Sequence, residues 1–472
     1  MNRGNFVELC KFVELANPKI AERSNATLPG NATYTSKQSQ DEFLQAAATV
    51  IQKEIVEEIA DAGMYAVIVD EARDNSCTEQ MSVCVRYVQT SKCRIVERFL
   101  GFIPQNMLTA EYFSSTIITF LTDVGLDVTK CIAQSYDGAS VMAGVKNGVQ
   151  KLIRDASKNT CPYIHCHAHR LNLVLADVAK RVDVVADTVG LIEAIYAFQS
   201  SSTIRHCVFL NSQKNEARIL SIPQQSDTRW VCTYAGVQYF CTRFGCTVQA
   251  LTDISQSRNR KEAAEARGLA QQLQSFEVLF ILNVLHDLLA ITQSLSLQLQ
   301  STTLDYGRCR RLIEGCLKTV KQKRDDQHFD RLWKETCDKA SENGIEVPSD
   351  KQGTHERASR PPTLLQAYVT ETTTGSRSAD DISIQSACRG NLFAVVDEVV
   401  AELDRRFASN HELLHAVAAC DPHSSSFLSA DSLLVIADNY AHLTVCKDRL
   451  PDQCEVAKNM FSAEGSDRPL CK

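Results

Sequence analysis

The stretch that decides the fold is Cys131–Leu173, which reads CIAQSYDGASVMAGVKNGVQKLIRDASKNTCPYIHCHAHRLNL. It opens with an apolar, strand-like run that ends in a lone carboxylate, Asp137, followed by small residues. Near its end, a second strand-like run carries four side chains of the kinds that bind metals, namely His165, Cys166, His167 and His169. An apolar strand that ends in an acid is where a metal-dependent phosphoryl-transfer site would hold one of its ligands.

A matching pattern lies upstream, where Met64–Asp70 (MYAVIVD) is a continuous apolar run with a terminal acid. Such a run predicts a strand that is buried on both faces. Residues 80–89 and 94–103 alternate between apolar and polar side chains, which predicts two further strands joined at residues 90–92. With strands at 131–136 and from residue 163, the sheet has five strands.

Helical spacing of apolar residues predicts helices over residues 39–61, 107–124 and 148–156. The resulting order, β-β-β-α-β-α-β, predicts an α/β fold with a mixed five-stranded sheet and helices on its faces. After about residue 182 only helical spacing remains, which predicts a large all-α region. Its expected helices are 183–199, 229–255, 261–302, 305–324, 329–343, 391–407 and 432–443.

Composition excludes several classes of protein. The 472 residues are 44% hydrophobic and 23% charged, which is typical of a globular chain, and no apolar run reaches the roughly 18 residues that cross a bilayer. The N-terminus does not read as a signal peptide, and none of the 19 cysteines is spaced as CxxC. We therefore expect an intracellular protein, nuclear or cytoplasmic, with free thiols in a reducing compartment and no membrane partner.

The charge distribution leaves one question open. A net charge of −7 argues against strong non-specific DNA binding by the whole chain. However, residues 306–324 carry seven lysines and arginines against one acid, Glu314. This segment is either a solvated helix face, which we favour, or a face that contacts phosphates.

Several short motifs lie along the chain's length: RGNF (3–6), NATY (31–34), VDEARD (69–74), SYDGASVM (135–142), CHAHRLNL (166–173), TRW (228–230), ELDRRF (402–407) and CDP (420–422). Through these motifs the chain resembles hAT-superfamily transposase-derived proteins. The similar subgroup has a DUF4371-type domain and includes proteins of the zinc-finger MYM-type-like and repressor of protein-kinase inhibitor-like kinds.

The resemblance implies an RNase H-like core that is interrupted by a large helical insertion. It implies that Asp70 and Asp137 are the first two acids of a catalytic triad, which would bind Mg²⁺ or Mn²⁺ in an active enzyme. Cys166 and His169 match a CxxH motif that shapes the DNA end. Arg229 and Trp230 match an RW motif whose aromatic ring stabilises a flipped base, so these four residues are candidate nucleic-acid contacts.

Each of these assignments has a competing interpretation. Asp74 could replace Asp70 as the ligand, although Asp70 directly ends the apolar run. Cys166 and His169 could simply pack in the core, or could form a zinc site together with Cys161 or His167. Trp230 could be an ordinary packing residue of a helix.

The sequence also departs from the family pattern. We find no match to the third catalytic acid, a Glu in a C-terminal motif, and Ser462-Ala463-Glu464 is only a superficial echo of it. Glu398 and Glu402 lie four residues apart, which predicts an amphipathic surface helix rather than an active site. The N-terminal finger and the C-terminal dimerisation segment of the family are also not found.

Together these observations predict five segments and a function. The segments are an N-terminal helical segment (1–62), an RNase H-like core (63–182), a helical insertion (183–343), a disordered linker (344–386) and a truncated C-terminal helical segment (387–472). We predict a transposase-derived, catalytically inactive protein that acts as an interaction module, with DNA and proteins as candidate partners. The alternatives are a metal-dependent DNA transposase or nuclease and a protein-binding regulatory scaffold.

Overall fold

The computed structural model describes residues 4–27, 34–73, 79–224, 230–301, 306–347, 383–407, 412–421, 424–440 and 446–464. The chain divides into two compact units. The first unit ends at His165, and the second begins at Cys166.

The first unit contains five strands and six helices among its described residues. The strands are β1 (Tyr65–Arg73), β2 (Glu79–Gln89), β3 (Arg94–Pro104), β4 (Cys131–Tyr136) and β5 (Tyr163–His165). The helices are α1 (Asn5–Ala16), α2 (Pro18–Thr27), α3 (Lys37–Ala62), α4 (Ala110–Asp123), α5 (Ser140–Ala143) and α6 (Val149–Ser157).

The strands form one mixed sheet in the order β3-β2-β1-β4-β5. β1 pairs antiparallel with β2, and β2 pairs antiparallel with β3. β4 is parallel to both β1 and β5. This arrangement confirms the predicted α/β fold with a mixed five-stranded sheet and flanking helices.

One face of this sheet forms the core of the first unit. Val67 and Val69 of β1 are almost fully buried and belong to a hydrophobic cluster shared with α3, α4 and α6. Ala66 and Ile68 point to the other face and are only partly buried. β1 therefore alternates in burial, whereas its continuous apolar sequence predicted a strand buried on both faces.

The second unit is helical throughout its described residues. Its helices are α7 (His167–Arg181), α8 (Asp183–Ser200), α9 (Thr203–Asn211), α10 (Trp230–Thr242), α11 (Phe244–Ser255), α12 (Arg260–Leu273), α13 (Phe276–Leu299), α14 (Tyr306–Gln322), α15 (Asp326–Glu342), α16 (Ile384–Phe407), α17 (Glu412–Val417), α18 (Ala430–Asn439) and α19 (Leu450–Glu464). The large all-α region is thus confirmed.

α13 is the central helix of the second unit. Leu279, Ile281 and Leu288 are among its many buried side chains, which join a cluster reaching from α7 to α16. Among the described residues, α13 is also the one helix long and apolar enough to cross a membrane by length and composition. Most of that apolar stretch is buried inside the unit, as in the core helix of a globular domain.

Two predicted long helices are each divided in the structure. The helix predicted over 229–255 breaks at Arg243, whose φ of −122° and ψ of 27° are not helical. The helix predicted over 261–302 breaks at residues 274–275, because Ser275 adopts an extended conformation as the N-cap of α13. Apolar spacing continued across both breaks, so the pattern alone did not reveal them.

The structure bears on only some of the predicted segment boundaries. Most of the linker predicted over 344–386, residues 348–382, lies outside the described residues. α16 begins at Ile384, ahead of the predicted start at residue 391. α7 packs with the second unit, and the domain boundary at residue 182 stays a prediction.

Candidate functional site

The strand register brings Asp70 and Asp137 to neighbouring positions. β1 and β4 run parallel, and Ile68 lies opposite Ser135 in their pairing. Asp70 and Asp137 each follow two residues later, with Asp70 still inside β1 and Asp137 just past the end of β4. Neighbouring strands lie about 4.8 Å apart. The two residues therefore lie at the same edge of the sheet.

Asp70 does not end its strand, which corrects the prediction from the apolar run. β1 continues to Arg73 because β2 remains paired with it, with Asp70 opposite Ser82. The Ser82 hydroxyl donates a hydrogen bond of 3.1 Å to the Asp70 carbonyl oxygen. Asp70 is past the last residue of β1 that is paired with β4, and its backbone is still held by β2.

Asp137 directly follows the last residue of β4 and is fixed by local hydrogen bonds. Its Oδ1 accepts from the Ala139 N–H at 3.2 Å. Its carbonyl oxygen accepts from the Tyr163 hydroxyl at 2.6 Å. The next residue, Gly138, touches the ring of His165 so closely that a Cβ there would lie 2.3 Å from His165 Cε1. A larger residue at this position would therefore displace the His165 ring or the backbone beside Asp137.

Glu71 is an acid of this site that the sequence analysis did not single out. Desolvation raises the pKa of its carboxyl group, and the negative charges of Asp137, Glu79 and Asp70 raise it further. The charges of both predicted ligands, Asp70 and Asp137, thus act on the Glu71 carboxyl group. The signal in the sequence was the adjacent pair Asp70-Glu71, which we did not treat as a pair. This edge of the sheet carries concentrated negative charge that would attract a cation.

The number of nearby carboxylate ligands limits which metal ions this site could hold. Within the described part of the chain, no group of three or more His, Cys, Asp and Glu side chains is arranged to hold a metal ion. Two adjacent carboxylates fit a single divalent cation that keeps much of its hydration shell. A two-metal site would need further carboxylates.

The CxxH motif opens the second unit. Cys166 is the N-cap residue of α7, and His169 lies three residues later, so the two side chains share one side of the first turn. Both are partly buried. Cys161, Cys166, His167 and His169 do not supply a group of three metal ligands among the described residues, so the zinc alternative gains no support.

The residues beside this motif are tightly packed. Burial lowers the pKa of His167 to about 4, and the positive charge of Arg170 acts in the same direction. The aromatic ring of Phe407 on α16 lies 5.9 Å from the His167 ring and 5.9 Å from the Arg170 guanidinium carbon. The end of α16 therefore covers the first turn of α7.

Three predicted residues have little or no structural description. Arg229 and Asp74 lie outside the described residues. Trp230 begins α10, but its side chain also lies outside the description. The base-contact role of the RW motif and the competition between Asp70 and Asp74 stay predictions.

Glu402 is not on a surface face, which corrects the prediction of an amphipathic surface helix. Its side chain is 1% exposed and lies among Arg181 of α7 and Arg405 and Arg406 of α16. Glu402 Oε1 is 2.7 Å from Arg181 Nη1, and Oε2 is 3.2 Å from Arg406 Nε.

The arginines around Glu402 also determine its charge state. The hydrogen bond from Arg405 lowers the pKa of Glu402, as do the charges of Arg405, Arg181 and Arg406. Glu398 accepts from the same Arg181 at 2.6 Å. Both carboxylates are thus neutralised by guanidinium groups and are poorly suited to serve as a third catalytic acid.

The basic segment is largely occupied by ion pairs within the second unit. Arg310 pairs with Glu314 on α14 at 2.7 Å. The remaining pairs link this segment to other parts of the unit: Arg311–Asp421, Lys321–Asp404 at 3.3 Å, Lys323–Asp287 at 2.9 Å and Arg324–Asp397 at 2.6 Å. These pairs favour a structural role for the segment over contact with phosphates.

Comparisons with known proteins agree with this fold. Residues 1–148 match the family model described as DUF4371, the ZMYM1/FAM200 RNase-like domain. The chain is 23% identical over 313 residues to the human 52 kDa repressor of the inhibitor of the protein kinase, which covers 64% of this chain and 40% of that protein. It is 24% identical over 288 residues to the mouse protein of the same name, with 58% and 37% covered.

These matches confirm the resemblance on which the sequence analysis relied. Residues 1–148 are similar to a DUF4371-type RNase-like domain, and both relatives are named as repressors of the inhibitor of the protein kinase. It spans about two fifths of the length of the curated relatives it matches.

Proposed function

We propose that this chain is a catalytically inactive, transposase-derived regulator that works by binding other macromolecules. One observation carries the proposal. Asp70 and Asp137 are the candidate ligands, and the described residues hold no group of three or more His, Cys, Asp and Glu side chains arranged to bind a metal.

Two-metal phosphoryl transfer needs several carboxylates to hold two ions about 3.5–4 Å apart. Mg²⁺ loses its water reluctantly, so two carboxylates hold one ion weakly and a second ion hardly at all. Glu398 and Glu402 are engaged by arginines. Glu464 ends α19, with its side chain outside the description. Strand cleavage is therefore not expected.

The binding role is supported by exposed surface and by the relatives. Large apolar side chains are exposed along α1 and the first half of α3: Leu9, Phe12, Leu15, Phe43, Leu44, Val50 and Ile51. Such residues suit a protein partner. The two relatives are named as repressors of an inhibitor of a protein kinase, and we carry over only a regulatory, intracellular role.

Nucleic acid is the other class of partner. The RNase-like unit and the CxxH and RW motifs support it through Cys166, His169, Arg229 and Trp230. The net charge of −7 and the internal pairing of the basic segment oppose a large electrostatic contribution. Any DNA binding should thus show a shallow dependence on salt, since few phosphates are neutralised.

A metal-dependent nuclease or transposase is the second candidate function, favoured by the adjacency of Asp70 and Asp137. Mg²⁺ or Mn²⁺ held by these carboxylates would supply Lewis-acid activation of a phosphate. The role of this chain's own residues would be to hold that cation from two rigid neighbouring strands.

One experiment separates these functions. The full chain is incubated with labelled duplex and hairpin DNA in Mg²⁺ or Mn²⁺, beside the D70N and D137N variants and the control D155N, which changes an exposed acid of α6. We expect no cleavage by any of them. Cleavage that D137N abolishes and D155N preserves would overturn the proposed inactivity. Binding of the same DNAs, measured from low to high salt, then tests the nucleic-acid partner.

A further inference from the structure

Two buried cysteines touch one another in the first unit. Cys131 begins β4, and Cys161 lies in the segment that leads into β5. Their sulfur atoms are 3.8 Å apart, and both residues are fully buried. This contact lies at the start of β4, whereas Asp137 follows its end, so the pair is separate from the carboxylate site.

The surrounding backbone holds the two cysteines in this arrangement. The Asn159 amide group donates to the Cys131 carbonyl oxygen at 3.0 Å and accepts from the Cys161 N–H at 3.0 Å. Gln134 donates to the Cys161 carbonyl oxygen at 2.8 Å. The Asn159 side chain thus holds the backbones of both cysteines. Cys161 itself adopts a positive φ of 29°, which is unusual for a non-glycine residue.

The two thiols differ in their tendency to ionise. A hydrogen bond from Cys131 lowers the pKa of Cys161, and Ser157 and the positive charge of Arg154 act in the same direction. The pKa of Cys131 is raised by its hydrogen bond to Cys161 and by burial. The hydrogen bond from Ser157 and the positive charge of Arg154 thus favour the thiolate at Cys161, with Cys131 as the neighbouring thiol. This is the division into attacking and resolving cysteine that disulfide formation uses.

We propose that Cys131 and Cys161 are a modification site, at which a peroxide converts the two thiols into a reversible disulfide. When a local opening of the first unit admits hydrogen peroxide to the buried pair, the Cys161 thiolate attacks one of its oxygens. This gives a sulfenic acid and releases the other oxygen as water after protonation. The Cys131 sulfur, having lost its proton, then attacks the Cys161 sulfur and displaces the second water. Two thiols and one peroxide thus give one disulfide and two waters.

The required movement is small. The sulfur atoms approach from 3.8 Å to the bonded distance of about 2.05 Å. The bond would fix the start of β4 to the segment before β5 and close a loop of about 30 residues. A loop of this size restricts the unfolded chain, so the oxidised first unit should melt about 5 °C higher or more.

The test uses the reduced, folded full chain and a small excess of hydrogen peroxide. Free thiols are then alkylated, and the digested protein is analysed by tandem mass spectrometry, which must separate Cys161 from the nearby Cys166. We expect a Cys131–Cys161 link that lacks two hydrogens and disappears on reduction. C131S and C161S should abolish it, and C316S, which changes a buried cysteine of the second unit, should leave it unchanged.

The outcomes are decisive in both directions. A Cys161–Cys166 link, oxidation of Cys161 without a link to Cys131, or no reaction at either thiol would overturn the proposal. If C131S or C161S fails to fold, the wild-type peptide map alone decides. The N159A variant keeps both thiols but loses the bridge between their backbones, so its link should form several-fold more slowly. An unchanged rate of disulfide formation would show that Asn159 does not position the two thiols.

Discussion

Replacing Gly138 with alanine tests the packing that positions Asp137. The added Cβ would lie 2.3 Å from His165 Cε1 and 2.9 Å from Nε2, so the histidine ring or the backbone beside Asp137 must move. Overpacking of this kind costs about 1–3 kcal/mol, and the lower entropy of the unfolded alanine chain offsets about 0.4–1 kcal/mol. We expect a net loss of about 1–2 kcal/mol.

A matched control and a double variant isolate the cause. G190A adds the same methyl group on α8, where no atom lies within 4 Å, and should stabilise its helix by about 0.5–1 kcal/mol. H165A removes the ring that the Gly138 Cβ would meet. In the H165A background, G138A should therefore cost about 1 kcal/mol less than in the wild type.

The assay must report on the first unit. Both tryptophans, Trp230 and Trp333, lie in the second unit, so their fluorescence would follow the wrong transition. Hydrogen exchange of peptides from β4 and β5 in urea gives the required free energy. If G138A is as stable as the wild type, or if its effect is unchanged in H165A, the described contact between Gly138 and His165 is wrong.

Three further predictions concern charge. E402A should destabilise the second unit by about 1–2 kcal/mol in urea unfolding, because the arginines lose a buried carboxylate but keep Glu398 or Asp177 as a partner. E398A should cost less than about 1 kcal/mol, and equal effects would contradict the buried network. The raised pKa of Glu71 means that the folded state binds this proton more tightly, so stability is lost as the pH rises from 4.5 through the folded value. E71Q should remove that loss of stability and stabilise the protein at pH 7 by less than about 1 kcal/mol. If the stability of E71Q falls more steeply with rising pH than that of the wild type, the carboxylate cluster around Glu71 is refuted. Replacing Lys321 and Arg324 with alanine should lower the melting temperature of the second unit, because two ion pairs are lost, and should leave DNA affinity within about twofold. A large loss of DNA affinity would instead favour the interpretation that this segment contacts phosphates.

The strands of the sheet could be told from the flanking helices because apolar residues recur at different spacings in the two. The alternation of residues 80–89 and the apolar run of 131–136 correspond closely to β2 and β4. Register was not predictable. The pairing of β1 with β4 shifts between Tyr65 and Ala66, and such an irregularity decides whether Asp70 and Asp137 share a face.

The helical unit shows the limit of local patterns. Glu402 lies four residues from Glu398 and was therefore assigned to an amphipathic surface helix, but Arg181, its partner, lies 221 residues away. Only the packing of α7 against α16 reveals that the position is buried. The same holds for the basic segment, whose lysines and arginines meet acids from α13 and α16 that no local window contains.

The most direct test of the account is a titration of the full chain with Mn²⁺, in which free ion is measured by electron paramagnetic resonance. Adjacent Asp70 and Asp137 without a third ligand among the described residues predict one weak site, with a dissociation constant near millimolar, that either D70N or D137N removes and D155N keeps. Two tight sites on the wild-type chain, or a site that survives both substitutions, would contradict it.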